Sequence, residues 1–131
     1  LEKHLLDPDE FFTEHPVPSI SRDDPNYHAS GMYWLGGVWP PIVYMVVVGL
    51  KKYGKFDTAR LIARKHLEAM CRTYREYEPH TIWECYSPEY MRPSDKETGP
   101  CVRPDFVGWG GLGPIGLLGD PELWTAQTET H

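Results

Sequence analysis

The chain lacks any cluster of basic residues. Its 13 Lys and Arg are scattered through 131 residues, and the formal net charge is -6 at pH 7. A nucleic-acid groove needs clustered cations to displace condensed counterions, so nucleic acid is not an expected partner. A polybasic membrane patch is argued against on the same ground. Long apolar runs are also missing. The longest, Ile42 to Leu50, has nine residues, against the ~20 needed to span a bilayer. No membrane partner and no signal peptide are read from the chain, which is expected to be soluble, with its compartment open. Cysteine is scarce: Cys71, Cys85 and Cys101 are an odd number without paired spacing, so no disulfide framework or zinc motif follows. The six His are scattered, with no HExxH pattern. No metal and no cofactor are expected.

Other residues are abundant. Proline is 13 of 131, about twice the average usage of ~5%. Five Trp and eight Tyr accompany it. Disordered chains are poor in aromatics, so this combination points to long, stiff, ordered loops. Aromatic faces also suit sugars, whose axial C–H groups pack on rings. The competing reading of each ring is ordinary core. Hydrophobic residues make up 40% of the chain, enough for a core.

Residues 1–30 read as irregular, because Pro8, Pro16, Pro18 and Pro25 interrupt any helix. The pattern leaves room only for a short helix around Asp9 to Thr13. The segment is either a functional loop or a tail docked on a surface. Pro40 to Tyr53 is the first clear helix. Its two prolines suit a first turn, its lysines suit the C-terminal end, and Gly54 suits a left-handed cap. Ile42, Met45, Val46, Gly49, Leu50 and Tyr53 form one stripe, but Val43, Val47 and Val48 are apolar too. A helix apolar all round is expected to be buried on all sides. Asp57 to Tyr77 is a second, amphipathic helix with Asp57 as N-cap. Ala59, Ile62, Ala63, His66, Met70, Thr73, Tyr74 and Tyr77 mark its buried stripe. His66 is read as a packed core histidine. A joint of about three residues forces the two helices into an antiparallel hairpin. Gly108 to Leu118 is a third helix, poor in propensity because each glycine costs roughly 1 kcal/mol against Ala. Its glycines imply close backbone approach to another helix or to a ligand. The tail through Trp124 shows no pattern. The fold class is all-α, built of antiparallel hairpins with long loops.

Three stretches concentrate aromatics and glycines. They run from Tyr33 to Pro41, from Thr81 to Pro88, and from Asp105 to Pro114. The first and third lead into helices, and the second lies in a loop. Glu84 stands between Trp83 and Tyr86. A carboxylate among rings is partly desolvated, which suits it for proton transfer, although most loop glutamates are simply solvated.

In this order and spacing the stretches resemble the C-terminal third of the catalytic domain in glycoside hydrolase family 63 and its trehalase-like and mannosylglycerate hydrolase-like relatives. The family pattern runs Tyr-Trp-Arg-Gly, a short gap, Trp-Pro, a helix pair, a Glu-Asn-Tyr or Glu-Lys-Tyr, and a Phe-x-Trp opening a late helix. This chain has Tyr33-Trp34-Leu35-Gly36, Trp39-Pro40-Pro41, Glu84-Cys85-Tyr86 and Phe106-Val107-Gly108-Trp109. The likeness covers roughly Pro16 to Leu118. It implies a six-hairpin (α/α)6 toroid that hydrolyses α-glycosidic bonds with inversion. It makes Glu84 the general base and Trp34, Trp39, Phe106 and Trp109 the lining of a sugar subsite. Tyr86 would pack beside Glu84 and orient it. The family's general acid, an Asp well before the Tyr-Trp stretch, has no counterpart here. Asp23 and Asp24 are read as loop-structuring residues. Leu35 stands where the family usually has Arg.

A full toroid of twelve helices, at ~10–14 residues each plus loops, exceeds this chain severalfold. Residues 1–131 are therefore expected to be the C-terminal piece of such a catalytic domain. Its apolar faces would associate with the missing helices or with another copy. Three functions are carried forward: part of an inverting α-glucosidase or α-mannosidase, a non-catalytic carbohydrate-binding module, and a structural helical remnant. Turnover by this chain alone is not expected.

Overall fold

The computed structural model describes residues 1–96 and 102–125; Cys101 lies outside them. Five helices follow in order: α1 (Glu2–Leu5), α2 (Pro40–Lys52), α3 (Phe56–Glu76), α4 (Trp109–Leu118) and α5 (Pro121–Trp124). Among the described residues there is no strand, only isolated bridges, so the chain is all-α.

The first long helix, α2, begins and ends where its chemistry requires. Pro40 and Pro41 occupy the first turn, whose N–H groups lack intrahelical partners in any case. At the other end Gly54 takes φ +74°. Its N–H donates to Lys51 O at 2.9 Å, and the Lys55 N–H donates to Leu50 O at 2.8 Å. That pair of bonds is a Schellman stop. It reverses the chain within three residues and lays α3 antiparallel on α2.

Helix α2 is not buried on all sides as expected. Val43, Val47 and Leu50 are buried, whereas Met45 is 64% exposed and Tyr53 84%. Ile42 and Tyr44 are also open to solvent. An all-apolar helix carries no polar face to orient it, so its neighbours choose which side is covered. Here α3 and α4 pack on α2 and leave Met45 uncovered. Helix α3 follows the expected stripe, with Ala59, Ile62, Ala63, His66, Met70 and Thr73 buried. Tyr74 is exposed and Tyr77 half-buried, so the covered stripe fades in the last turn. Asp57 is not the N-cap. The helix starts one residue earlier, with Lys55 at the cap, and Asp57 lies in the first turn, where it accepts from Arg60 Nη1 at 3.0 Å.

The glycines of α4 serve helix packing. A Cβ at Gly113 would lie 3.1 Å from the Pro40 carbonyl oxygen, and one at Gly116 would meet the Tyr44 ring at 2.7 Å. Glycine on this face lets α4 approach the start of α2 more closely than any side chain allows. The segment without a pattern forms α5. The Asp120 side chain accepts from Glu122 N at 3.0 Å, and Lys51 forms an ion pair with Asp120. Arg60 Nε donates to Leu123 O at 2.8 Å, which ties α5 to α3.

The proline-rich N-terminal segment is docked, and its helix is α1, while residues 8–11 form turns rather than helix. His15, Pro16, Val17 and Pro18 are all buried. His15 Nε2 meets His66 Nδ1 of α3 at 2.7 Å. The backbone adds His15 N to Pro88 O at 2.9 Å and Ser19 N to Gly37 O at 3.0 Å. Desolvation first, then the proximity of His66 and Lys65, holds His15 well below the usual imidazole range, and burial takes His66 down to about 3. Both rings are therefore neutral near pH 7, and one shared proton joins them. His66 is a core histidine as expected, but one with a polar partner that no local spacing announces.

Candidate functional site

Three loops meet above the N-terminal ends of α2 and α4. The middle loop, 81–87, lies between the other two and is laced to both by backbone bonds. On one side Val38 and Tyr86 exchange N–H···O bonds of 2.8 and 2.9 Å. On the other, Glu84 N donates to Arg103 O at 3.0 Å and Phe106 N to Ile82 O at 2.9 Å. The three aromatic-rich stretches of the sequence thus come together, although up to 73 residues separate Tyr33 from Phe106 (106 - 33).

Glu84 sits in this junction and is only 7% exposed. Its two carboxylate oxygens are engaged from different loops. Oε2 accepts from the Tyr33 phenol at 2.7 Å, and Oε1 accepts from Arg103 N at 3.3 Å. The hydrogen bond to Glu84, followed by burial, pushes the Tyr33 phenol up to about 12. Tyr33 therefore stays protonated and keeps donating across the neutral range.

The rings continue from Tyr33. Its edge meets Trp39 at 4.7 Å between centroids. Trp34 stacks on Trp39 at 4.0 Å with the planes only 10° apart. Trp109 stands edge-on to Trp39 at 6.4 Å, and Phe106 lies 5.9 Å from Trp109. Trp34 and Trp109 are half-exposed, while Trp39 beneath Trp34 is buried. The arrangement is an open aromatic platform with a buried support and a carboxylate at its edge. Tyr86 lies below it. Its ring is 1% exposed and packs against His15 at 5.1 Å, and its phenol oxygen accepts from Trp83 N at 3.1 Å. Burial first pushes that phenol up to about 12. From there Tyr86 braces the loop that carries Glu84 and offers no surface to a ligand.

Asp23 and Asp24 close turns, as expected. Asp24 Oδ1 accepts from Asn26 N at 2.8 Å and Asp23 Oδ1 from Ser21 Oγ at 2.6 Å. Among the described residues no group of three or more His, Cys, Asp or Glu could hold a metal ion. No helix among them is long and apolar enough to cross a membrane. A shallow apolar groove lined by Leu67, Leu118 and Trp124 lies at the far end of α4 from Phe106 and Trp109. Sequence reasoning assigned no role to Tyr33 or to the Arg103 amide. Tyr33 stood in a quoted stretch, but nothing in the spacing shows that it meets a residue 51 positions away.

Comparison with known proteins places the chain in a family. The profile of the mannosylglycerate hydrolase MGH1-like glycoside hydrolase domain matches residues 1–98. The chain belongs to this glycoside hydrolase family. In three dimensions it resembles the GH63 mannosylglycerate hydrolase of Thermus thermophilus, solved in complex with Tris, with a TM-score of 0.56 and 25% identity. That likeness covers 80% of this chain and 21% of the Thermus chain, so the helices correspond to part of a GH63 toroid. An uncharacterised protein of Borreliella burgdorferi is 28% identical over 94 residues, 70% of this chain and 20% of that protein. The chain thus spans about one-fifth of the length of the relatives it matches. Phe106 and Trp109 lie beyond the residues that the family profile matches.

Proposed function

We propose that this chain supplies the general-base side of the active site of an inverting α-glycosidase, acting on α-glucosidic or α-mannosidic bonds. The observation that carries the reading is Glu84: a buried carboxylate, tied at both oxygens, at the edge of an exposed indole platform. In the reaction Glu84 removes a proton from water as the water oxygen bonds to the anomeric carbon. The bond to the leaving oxygen breaks on the opposite face, and a separate carboxylic acid protonates that oxygen. Inversion requires the two carboxyl groups ~6.5–9.5 Å apart. By resemblance the acid is an Asp contributed from elsewhere in the toroid. Trp34 and Trp109, with Phe106 behind them, would hold the sugar face, and Trp39 would support Trp34.

The partners proposed are a carbohydrate substrate and the remaining helices of a toroid, or a second copy. The latter rests on the uncovered apolar side chains Met45 of α2 and Leu112, Ile115 and Leu118 of α4. Contiguous apolar surface of this kind favours association.

The test is Glu84→Gln in the full-length gene product, assayed on 4-nitrophenyl α-mannoside, 4-nitrophenyl α-glucoside and mannosylglycerate. Turnover should fall by ~10²–10⁴, the usual contribution of a positioned acid or base. Proton NMR of the first-formed sugar should show the β-anomer from an α-linked substrate. Undiminished turnover in the variant removes Glu84 from the reaction. One observation favours a second reading, sugar binding without cleavage: Leu35 stands where the family usually has an Arg that would bond sugar hydroxyls. Under that reading mannose or glucose quenches Trp fluorescence equally in the wild type and in the Glu84→Gln protein, and neither cleaves any of the three substrates.

A further inference from the structure

We propose that Tyr33 is a positioning residue for Glu84, fixing the carboxylate in the orientation that water activation requires. The inference rests on reading Glu84 as the base. A carboxylate held on one side can swing about its last bond. Glu84 is held on both, by the Tyr33 phenol at Oε2 and by the Arg103 amide at Oε1. Each carboxylate oxygen has two lone-pair directions. The phenol and the amide take one apiece, which sets the plane of the group and leaves the other two directions for water.

A positioning residue is only as good as its own support. Tyr33 is fixed along its whole length. Its N–H donates to Ser94 Oγ at 3.2 Å. Its carbonyl accepts from Gly37 N at 3.1 Å and from Trp39 Nε1 at 3.3 Å. Its ring lies edge-on to Trp39. Beneath it the backbone is strained: Met32 and Tyr33 are consecutive non-glycine residues with φ of +41° and +66°. Such left-handed geometry is disfavoured for side chains with a Cβ and persists where the surroundings over-determine it. The surroundings that do so here are the bonds just named, and their joint effect is to deliver the phenol to Glu84. Because Tyr33 also touches Trp39, on which Trp34 stacks, one residue sets the base relative to the sugar platform.

The two alternatives differ in what they do to activity. If Tyr33 merely fills space, Phe replaces it without loss. If it positions the carboxylate, Phe removes one of the two donors that fix its plane. The test is Tyr33→Phe beside Glu84→Gln in the full-length gene product, with 4-nitrophenyl α-mannoside and 4-nitrophenyl α-glucoside. Expected for Tyr33→Phe is a fall in kcat of roughly 10–100-fold, the scale of a displaced reacting group. KM should stay within about twofold, since ground-state binding is untouched. Wild-type kcat in Tyr33→Phe, with turnover lost in Glu84→Gln, would overturn the inference and leave the base reading standing. Full turnover in Glu84→Gln overturns both. Should Tyr33→Phe fail to fold, 3-fluorotyrosine at position 33 keeps the shape and strengthens the donor. kcat should then change while KM stays within about twofold, and a kcat unchanged from the wild type would overturn the inference.

Discussion

The helical hairpin and the loop face of this protein are held together by different means. Helices α2 and α3 meet through a continuous apolar surface, with Val43, Val47 and Leu50 against Ala59, Ile62 and Ala63, and no single contact decides the geometry. The loop face has no repeating pattern. It is assembled from individual pairs, Tyr33 with Glu84, Glu84 with Arg103 and Val38 with Tyr86; a pair of the same kind, His15 with His66, ties the N-terminal segment to α3. Dispersed apolar contact tolerates substitution by degrees, because lost area reduces stability in proportion. A network of specific buried pairs fails one link at a time, because an unpartnered polar group in a low dielectric costs more than a lost contact. The difference suits the proposed division of labour. A scaffold needs to be stable, and a site needs to hold a carboxylate in one place.

This contrast can be broken on the hairpin side with Ile62→Ala. Ile62 is fully buried, and its truncation should remove ~2–5 kcal/mol of stability. Urea unfolding measures it as a drop in the midpoint, while kcat, read in the full-length gene product as for every variant below, should be retained at low temperature. On the loop side the strongest single change is Gly37→Ala. The added Cβ would lie 2.2 Å from the Tyr33 carbonyl oxygen and 2.4 Å from Cys85 Sγ. Overpacking of this kind costs ~1–3 kcal/mol, so the loss of stability should be the smaller of the two. Turnover should nevertheless fall more than in Ile62→Ala, since the shift falls on Tyr33. Equal effects of the two variants on kcat would erase the distinction between scaffold and site.

The histidine pair sharpens it through pH. Both rings have their folded pKa lowered, His66 to about 3, from an unfolded value of ~6.5. The unfolded chain therefore binds more protons below that value. The stabilisation is fully present above pH ~6.5 and is lost as pH falls toward the folded values. Both rings act in the same direction, so stability falls more steeply the further the pH drops below that value. Urea midpoints between pH 7.5 and 5 should fall accordingly, and His66→Gln should flatten the slope. Smallest is Gly54→Ala in the hairpin stop. At φ +74° with open space around it, the change should cost ~1–2 kcal/mol of stability through backbone strain alone. It should leave KM and kcat unmoved.

Much of the hairpin was legible beforehand. The prolines at 40 and 41, the glycine at 54 and the 3.6-residue stripe of α3 each have one local meaning. That α2 is covered on part of its surface and not all round is not legible, because a helix apolar on every side has no internal marker of its covered face. The docking of His15–Pro18 was half-seen, since prolines show where a helix cannot form but not where the segment rests. In the site, the residue types of the platform and of Glu84 could be read from three aromatic-rich stretches that resemble one family. Tyr33, the Arg103 amide and the buried station of Tyr86 could not.

The sequence by itself determined the elements: where the chain must turn, which helix is amphipathic, and which stretches carry rings and a carboxylate. These follow from the backbone and side-chain preferences of neighbouring residues. Tertiary structure alone decided the partners. Which face of α2 is covered, which two of the scattered histidines share a proton, and which phenol holds Glu84 depend on contacts between residues far apart in the chain, 51 positions for each of the last two. Nothing in local periodicity encodes such a pairing, because it is set by how the helices, the loops and the N-terminal segment pack on one another.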